Sequence, residues 1–413
     1  MPPPAGDVAF EQIDGGAGYY GQFANGLPVD PGFFPIAVWG SYDHTLANRN
    51  LDAAAGINTY QWVADPSFMD EIQADGRFWM IQVHESLSAA NRTSKVTGRY
   101  THDELDMECG DNQCADDFGR LESTISNQTC VTRCADGLAL YANYGKGVMF
   151  WNSDANAARW INGTSSFGRY QDIVHDDVYW FTDPYVCGGL AEGPRFYGTG
   201  SALPANWCRN GANYGDTVTE LRRLDALDGK RVPIWNVIEA SWPFENQSGA
   251  RAIQPAELRS AVWHSLIAGA RGILWFQHSF GGPCAGDHHV IRTNCEGTRP
   301  AVTAVNKQIT DLAPVLNAPT ATTGHTITDT MDGRARAMVK WHDGHFYIFI
   351  GADRSGGQAT FTMPCLGTAT AINLGETTGN LVIPLANGQF TDQFPDRNAI
   401  HIYRIDSQSR CGL

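Results

Sequence analysis

A (β/α)8 barrel of the α/β class, followed by a small antiparallel β-sandwich, is the fold this 413-residue sequence predicts. Three observations lead there. Short apolar runs alternate with helix-length segments over the first three quarters of the chain, the rhythm of parallel strands joined by right-handed crossovers. Almost every apolar run ends abruptly in a polar or acidic residue, as barrel strands do at their carboxyl ends. From about Pro319 the rhythm changes to alternating apolar and polar residues with tight-turn signals. An open doubly wound sheet is the rival architecture, but no Gly-rich phosphate-binding turn follows the first strand.

The elements read in order as follows. The first thirty residues are rich in Gly and Pro and are expected to wrap the barrel. Phe33–Trp39 is an apolar run suited to a strand buried on both faces, delivering Asp43 and His44. A helix over 46–55 passes through Gly56 into a strand over 57–62, and a helix over 66–74 stops at Asp75-Gly76. Phe78–Val83 is the third strand, ending at His84-Glu85. Residues 86–132 are acidic and Cys-containing and read as a long insertion; a helix over 135–144 follows. Gly147–Trp151 reads as the next strand, presenting Asn152, Ser153 and Asp154. Gln171–Val174 with Val178–Phe181 is another, bracketing Asp176 and Asp177 and ending at Asp183. A helix over 217–227 leads to Val232–Ile238 and Glu239; a helix over 255–270, with Pro at its first turn, leads to Ile273–Phe276 and Gln277-His278. That makes seven strands, and the eighth is expected between Asn156 and Tyr170. Domain boundaries follow at 1–318 and 319–413. In the second part, Ala337–Trp341 and Phe346–Ile350 flank an Asp343-Gly344 turn as a hairpin.

Composition narrows the function. The net charge of −15 offers no basic stripe for nucleic acid. Membrane spans are not expected, and the start MPPPAGDVAF lacks the basic and apolar regions of a signal peptide. The 10 Cys fall in neighbouring couples within loop-like segments: 109 with 114, 130 with 134, 187 with 208, 284 with 295, 365 with 411. That arrangement favours disulfides and an oxidising compartment, so the expected location is secreted, extracellular or virion-associated. A zinc site is the competing reading, but no CxxC…CxxC spacing occurs. A calcium ion in the acidic stretch 103–117 has no recognisable loop pattern behind it. No cofactor and no metal is expected. The 12 Trp, 14 Tyr and 19 Phe supply flat apolar faces of the kind that stack on sugar rings.

Glycoside hydrolysis needs two carboxyl groups flanking one glycosidic oxygen, and a barrel supplies them from different strand ends. Glu239, after the run VPIWNVI, is the foremost catalytic candidate. Asp154 is its first partner candidate, although Asp at that position equally suits a helix N-terminus. Glu85 and Asp177 follow; Asp176 and Asp177 are adjacent, so in an extended strand only one faces the cleft. Substrate-binding candidates at the same strand ends are Trp39, Asp43, Trp62, His84, Trp151, Asn152, Tyr179, Asp183, Asn236, Trp242, Gln277 and His278. The imidazoles also invite a metal reading, but the first strand ends in Ser-Tyr-Asp-His and not in the HxH pair of metal-dependent amidohydrolases.

PIWNVIEAS and PAELRSAVWHSLIAGARGILWFQHSF, with the β-rich end, resemble clan A-type glycoside hydrolases. The likeness extends to uncharacterised actinobacterial hydrolases and to barrel modules of actinobacteriophage minor tail proteins, over roughly residues 30–405. The resemblance implies a TIM barrel with Glu239 as nucleophile at the end of the seventh strand. It also implies an acid/base after an Asn at the end of the fourth, where this chain, with Asn152-Ser153-Asp154, departs from the pattern. Two functions therefore stand: hydrolysis of a polysaccharide or oligosaccharide, a bacterial cell-wall glycan included, or a glycan-binding module such as a phage tail component. The first requires Glu239 and an acid from another strand to meet at one aromatic-walled opening.

Overall fold

The computed structural model describes residues 8–14, 17–40, 43–83, 94–109, 123, 137–166, 168–188, 192–374, 381–406 and 411. Eight parallel strands close into a barrel: β1 Ile36–Trp39, β2 Thr59–Val63, β3 Trp79–Gln82, β4 Val96–Asp103, β5 Ala139–Tyr144, β6 Ile173–Asp176, β7 Ile234–Glu239 and β8 Gly272–Phe276. Closure comes from β8 pairing with β1, with Ile273 opposite Ile36 and Trp275 opposite Val38. Around it lie α1 Leu46–Ala54, α2 Pro66–Asp75, α3 Asp154–Asn162, α4 Ala212–Asp225, α5 Pro255–Ile267 and α6 Thr298–Asp311. Local sequence accounts for their ends. Thr45 and Asp65 cap α1 and α2 by accepting from Asn48 and Ser67 N–H groups, Pro66 opens α2, and Gly76, at φ 76°, closes it.

The two faces of each strand separate the core into two layers. Ile36, Val38, Ile234 and Ile238 pack outward with the helices. Ala37, Trp39, Tyr100, Tyr141, Trp235, Val237 and Leu274 fill the interior. The interior is packed, as small barrels require. The Trp235 ring stacks on His175 at 5.2 Å between centroids, and Tyr141 meets it edge-on at 5.5 Å. Glycine makes room: a Cβ on Gly272 would stand 2.4 Å from the Trp235 ring, and one on Gly98 2.2 Å from the Tyr141 ring. Each such ring buries about 150–250 Å², so any larger residue at these two positions would force the interior apart.

From Thr320 onward the described sheets are antiparallel. Arg336–His342, His345–Gly351, Ile400–Asp406, Ala369–Asn373 and Leu381–Leu385 form the body of one sheet. Thr326–Asp329, Gly357–Thr362 and Gln389–Phe394 form a second. Val339, Phe346, Ile348 and Tyr403 from the first pack with Phe361, Phe390 and Phe394 from the second, making the expected sandwich. The Asp343-Gly344 hairpin is present, both residues at positive φ (47° and 80°) as its two-residue turn demands. The N-terminal segment does more than wrap the barrel: Phe10–Glu11 pairs with Thr320–Ala321 at the edge of the larger sheet.

Four expectations about the barrel are corrected. The stretch expected to be wholly loop contains β4, and the expected helix over 135–144 is β5. Residues 147–151 form a π-helical turn and not a strand, and no strand of the barrel lies between Asn156 and Tyr170, where α3 begins the segment. The GVMFW run is apolar because Val148, Met149 and Phe150 are buried against the helical layer. Its turn is held by the Asp106 carboxylate, which accepts from the Gly145 and Val148 N–H groups. Three disulfides match the expected couples, Cys187–Cys208, Cys284–Cys295 and Cys365–Cys411. The couples 109/114 and 130/134 rest on side chains outside the described residues. Among those described, no helix is long and apolar enough to cross a membrane.

Candidate active site

The carboxyl end of the barrel gathers acids from β4 and β6. Asp103 is the last residue of β4, Glu104 follows it at φ 48°, and Asp177 follows β6. All three are partly exposed. Asn143, on β5 between them, donates to Asp103 Oδ1 at 2.9 Å, and the Tyr179 hydroxyl donates to Asp177 Oδ2 at 3.3 Å. Glu104 and Asp177 share a hydrogen bond. Burial lifts the Asp103 carboxyl to about 6, the Asn143 bond opposing and the Glu104 charge adding to the rise. Asp177 is pushed well above the usual carboxylate range, first by burial and then by the Glu104 and Asp103 charges and the bond to Glu104. Crowded like charges in a half-dry site retain protons.

Aromatic rings border this acid group. Trp39 at the end of β1 stacks on Trp62 of β2 at 5.1 Å, and both contact Tyr100 of β4 at 5.4 Å. Trp62 sits at φ 62°, where the β2–β3 register shifts, so a bulge sets its ring. On the other side Tyr179 lies 5.2 Å from Phe276 at the end of β8 and 6.2 Å from Phe244.

Glu239 ends β7, as expected, but it is 0% exposed. Phe181 N–H donates to its Oε1 at 2.7 Å, the Tyr214 hydroxyl of α4 donates to the same oxygen at 2.5 Å, and the Thr182 hydroxyl donates to Oε2. Burial raises it to about 7, held back from a larger rise by those donors. The segment after β6 thus covers Glu239 and holds it apart from solvent.

The remaining candidates are distributed unevenly. Asp154 is not at a strand end: it opens α3 behind the Ser153 cap, its side chain is 78% exposed, and it pairs with Arg223 at 3.0 Å. Asn152 and Trp151 belong to the end of the π-helical turn, away from the barrel strands. Asn236 points outward, donating to Tyr214 O and Ser265 Oγ between β7 and the helices. Alternation along the strand decides this, since Trp235 and Val237 take the inner face. Asp43 is exposed and its oxygens serve Thr45 N–H and Arg292. Asp183 is buried in an ion pair with Lys146, which also holds Glu192 at 2.9 Å. The Trp242 ring lies directly beneath Gly282. Gln277 is buried, and His278, also buried, faces the Gly40 carbonyl at 3.0 Å, burial lowering its pKa to about 4. His84 and Glu85 lie outside the described residues. Trp39, Trp62, Tyr179 and Asp177 are the sequence-derived candidates that meet at the mouth. Asp103, Glu104, Asn143 and Phe276 were missed; the signal available was the acidic pair ending Thr97-Gly98-Arg99-Tyr100-Thr101-His102.

For a metal, the described residues offer one grouping of three candidate ligands, Cys284, Cys295 and Glu296. The two cysteines are bonded to each other, so no thiolate is free to ligate.

No protein-family model matches the chain, and no curated protein matches it. Among solved structures it is similar to one described as a glycoside hydrolase, at 12% identity and TM-score 0.56, covering 99% of this chain and 98% of that one. It is also similar to a family 5 glycoside hydrolase from Bacteroides vulgatus ATCC 8482, at 12% identity and TM-score 0.52, covering 96% and 95%. Likeness at this identity establishes the fold: a TIM barrel with a C-terminal β domain.

Proposed function

We propose that this protein hydrolyses glycosidic bonds of a polysaccharide or oligosaccharide, with Glu104 as proton donor and Glu239 as the second carboxylate. The observation that carries this reading is that one acid directly follows the fourth barrel strand and another ends the seventh. These are the positions at which the clan resembled by the sequence keeps its acid/base and nucleophile, with Asp103-Glu104 standing for the Asn-Glu pair. Protonation of the leaving oxygen is served by the hydrogen bond Glu104 shares with Asp177, a carboxyl that burial and neighbouring charges push well above the usual range, which keeps a proton at the mouth. Rings on two sides of the mouth suit stacking on sugar faces.

Glu239 attacks only when uncovered. The reading therefore requires the segment 178–183 to shift when substrate binds, so that at least one donor leaves the carboxylate. Carboxyl oxygens then brought to about 5–5.5 Å would give retention of anomeric configuration, and about 6.5–9.5 Å inversion.

A second reading, glycan binding without turnover, is favoured by one observation: the complete burial of Glu239 with both oxygens already occupied. Release of reducing sugar across a glycan panel that includes bacterial cell-wall glycan separates the two. Hydrolysis lost in both Glu104→Gln and Glu239→Gln supports the enzyme; binding without release in the wild type, unchanged by either substitution, supports the module.

A further inference from the structure

At the amino ends of β7 and β8, opposite the acidic mouth, lies a cavity of about 270 Å³ between the barrel base, the larger antiparallel sheet and the N-terminal segment. Its walls carry four basic side chains, Arg222, Arg231, Arg271 and Lys340, in a chain whose net charge is −15. Two acids face them, Glu11 and Asp14, and both come from the N-terminal segment. Glu11 pairs with Arg231 at 2.6 Å, and Asp14 pairs with Arg222 and approaches Arg231 at 3.9 Å.

Those pairs account for the two outer cations only. Arg271 is 5% exposed and directs one Nη to the Leu316 carbonyl at 2.7 Å, while its Nε donor has no protein partner. Lys340 is 0% exposed and donates to the Ala318 carbonyl at 2.9 Å and to Thr320 Oγ1 at 2.7 Å, which leaves its third N–H. Among the described residues neither has a carboxylate partner. Burying a basic group without a counter-charge is costly. Burial, with the Arg271 and Arg222 charges, holds the Lys340 pKa well below its ordinary value, and burial lowers Arg271 to about 10, so both groups gain from an anion beside them. A water occupies about 30 Å³ in the liquid, so the cavity has room for a small anion together with several waters.

We propose that this cavity is a binding site for a small oxyanion, a phosphate or sulfate group, held by Arg271 and Lys340. Guanidinium and ammonium groups are the two side chains best suited to such an anion, the first by its fixed fork and the second as a point charge. The bound anion joins residues from the barrel, the sheet and the loop between them. Phe10–Glu11, paired to Thr320–Ala321, closes the cavity from the side. The site is far from the candidate active site, at the opposite end of the strands, and its role is to hold the sheet against the barrel.

The test uses the full chain and inorganic phosphate as probe. Calorimetric titration at constant ionic strength, with chloride as balancing salt, is expected to show saturable one-site binding, and the melting temperature is expected to rise with phosphate and level off. A general salting effect rises without saturating. Lys340→Met is expected to weaken binding by about tenfold or more. Lys340→Arg, which keeps the charge, retains it. Because substitution of a buried Lys risks the fold, Arg231→Glu, at a partly exposed position, supplies a second arm: it keeps the fold and lowers affinity by placing another negative charge at the rim. Lys307→Ala, on the distant surface of α6, leaves binding unchanged. Absence of saturable binding in the wild type, or phosphate affinity unaltered in both Lys340→Met and Arg231→Glu, overturns the proposal.

Discussion

Two acidic regions at the same end of the barrel, one partly exposed and one buried, solve the same electrostatic problem in different ways. On the β4–β6 side, Asp103, Glu104 and Asp177 stand near one another with one amide and one phenol between them, and the answer is protons retained on Asp103 and Asp177. On the β7 side, Glu239 stands among three donors, and there the answer is hydrogen bonding, which moderates the effect of burial. The first arrangement is open and reactive toward a base such as a leaving oxygen. The second is closed and stable until something removes the lid.

The comparison breaks most visibly in turnover. Glu104→Gln keeps the shape and removes the proposed proton donor, so hydrolysis should fall by about 10²–10⁴-fold, the usual contribution of general acid catalysis. Substrate binding, measured separately by calorimetry, should change little. Asp177→Asn should act differently, moving the pH profile more than the maximum, because it removes a titrating carboxyl that shares a hydrogen bond with Glu104 and not the proposed donor itself. A loss of turnover in Asp177→Asn equal to that of Glu104→Gln, with no displacement of the profile, would reverse the assignment of the two roles.

Removing a donor sharpens the other half. Tyr214→Phe leaves Glu239 Oε1 with the Phe181 N–H alone. A buried carboxylate that loses one charge-assisted bond costs about 1–3 kcal/mol when ionised. The Glu239 carboxyl should therefore titrate above its present value of about 7, and the loss of stability should be larger at pH 8 than at pH 5. Equal destabilisation at both values would mean that the phenol acts through packing on Phe181 and not through the carboxylate.

The whole-protein pH response has a worked sign. Asp103 and Glu239 have folded values raised to about 6 and about 7, above their unfolded values near 4. Between those limits the folded state holds more protons than the unfolded one, so stability falls as pH rises. Their contribution is fully present below about pH 4 and gone above about 7. Asp103→Asn should remove part of this slope, on the order of 1–3 kcal/mol across the window. Urea midpoints of wild type and variant at pH 4.5 and 7.5 measure it, and parallel lines for the two proteins would exclude Asp103 as a source.

The legibility of the sequence differs between the same two regions. β7 announces itself, because Val232–Ile238 is an unbroken apolar run and Glu239 its first charge. β4 does not: Thr97, Arg99, Thr101 and His102 are buried polar residues in a strand with no apolar run, and His102 packs on Tyr144 and Trp160 on the helix side. β5, LYANY with flanking Ala, fits a helix as well as a strand, since a short run buried on both faces carries no diagnostic period. Since β4 and β5 carry no strand signature, the apolar π-helical turn at 147–151 is the next run with strand-like composition, which places Asp154 at an apparent strand end. The sandwich was easier to read because one face of each strand is wet, so its alternation survives.

Asp154 gives the smallest expected effect of these substitutions. It shares with Glu239 only its residue class, an acid that follows an apolar run. Its carboxylate is 78% exposed and faces Arg223, itself 44% exposed and already held by Glu220 at 2.6 Å. An exposed pair of this kind is worth less than about 1 kcal/mol, and Ser153, not Asp154, provides the N-cap bond. Asp154→Asn should therefore leave kcat and KM for any glycan that is hydrolysed within error, and shift the urea midpoint only slightly. A fall in turnover comparable to that of Glu104→Gln would mean that α3 reaches the mouth when substrate is bound, and that the acid partner of Glu239 had been found first in the sequence after all.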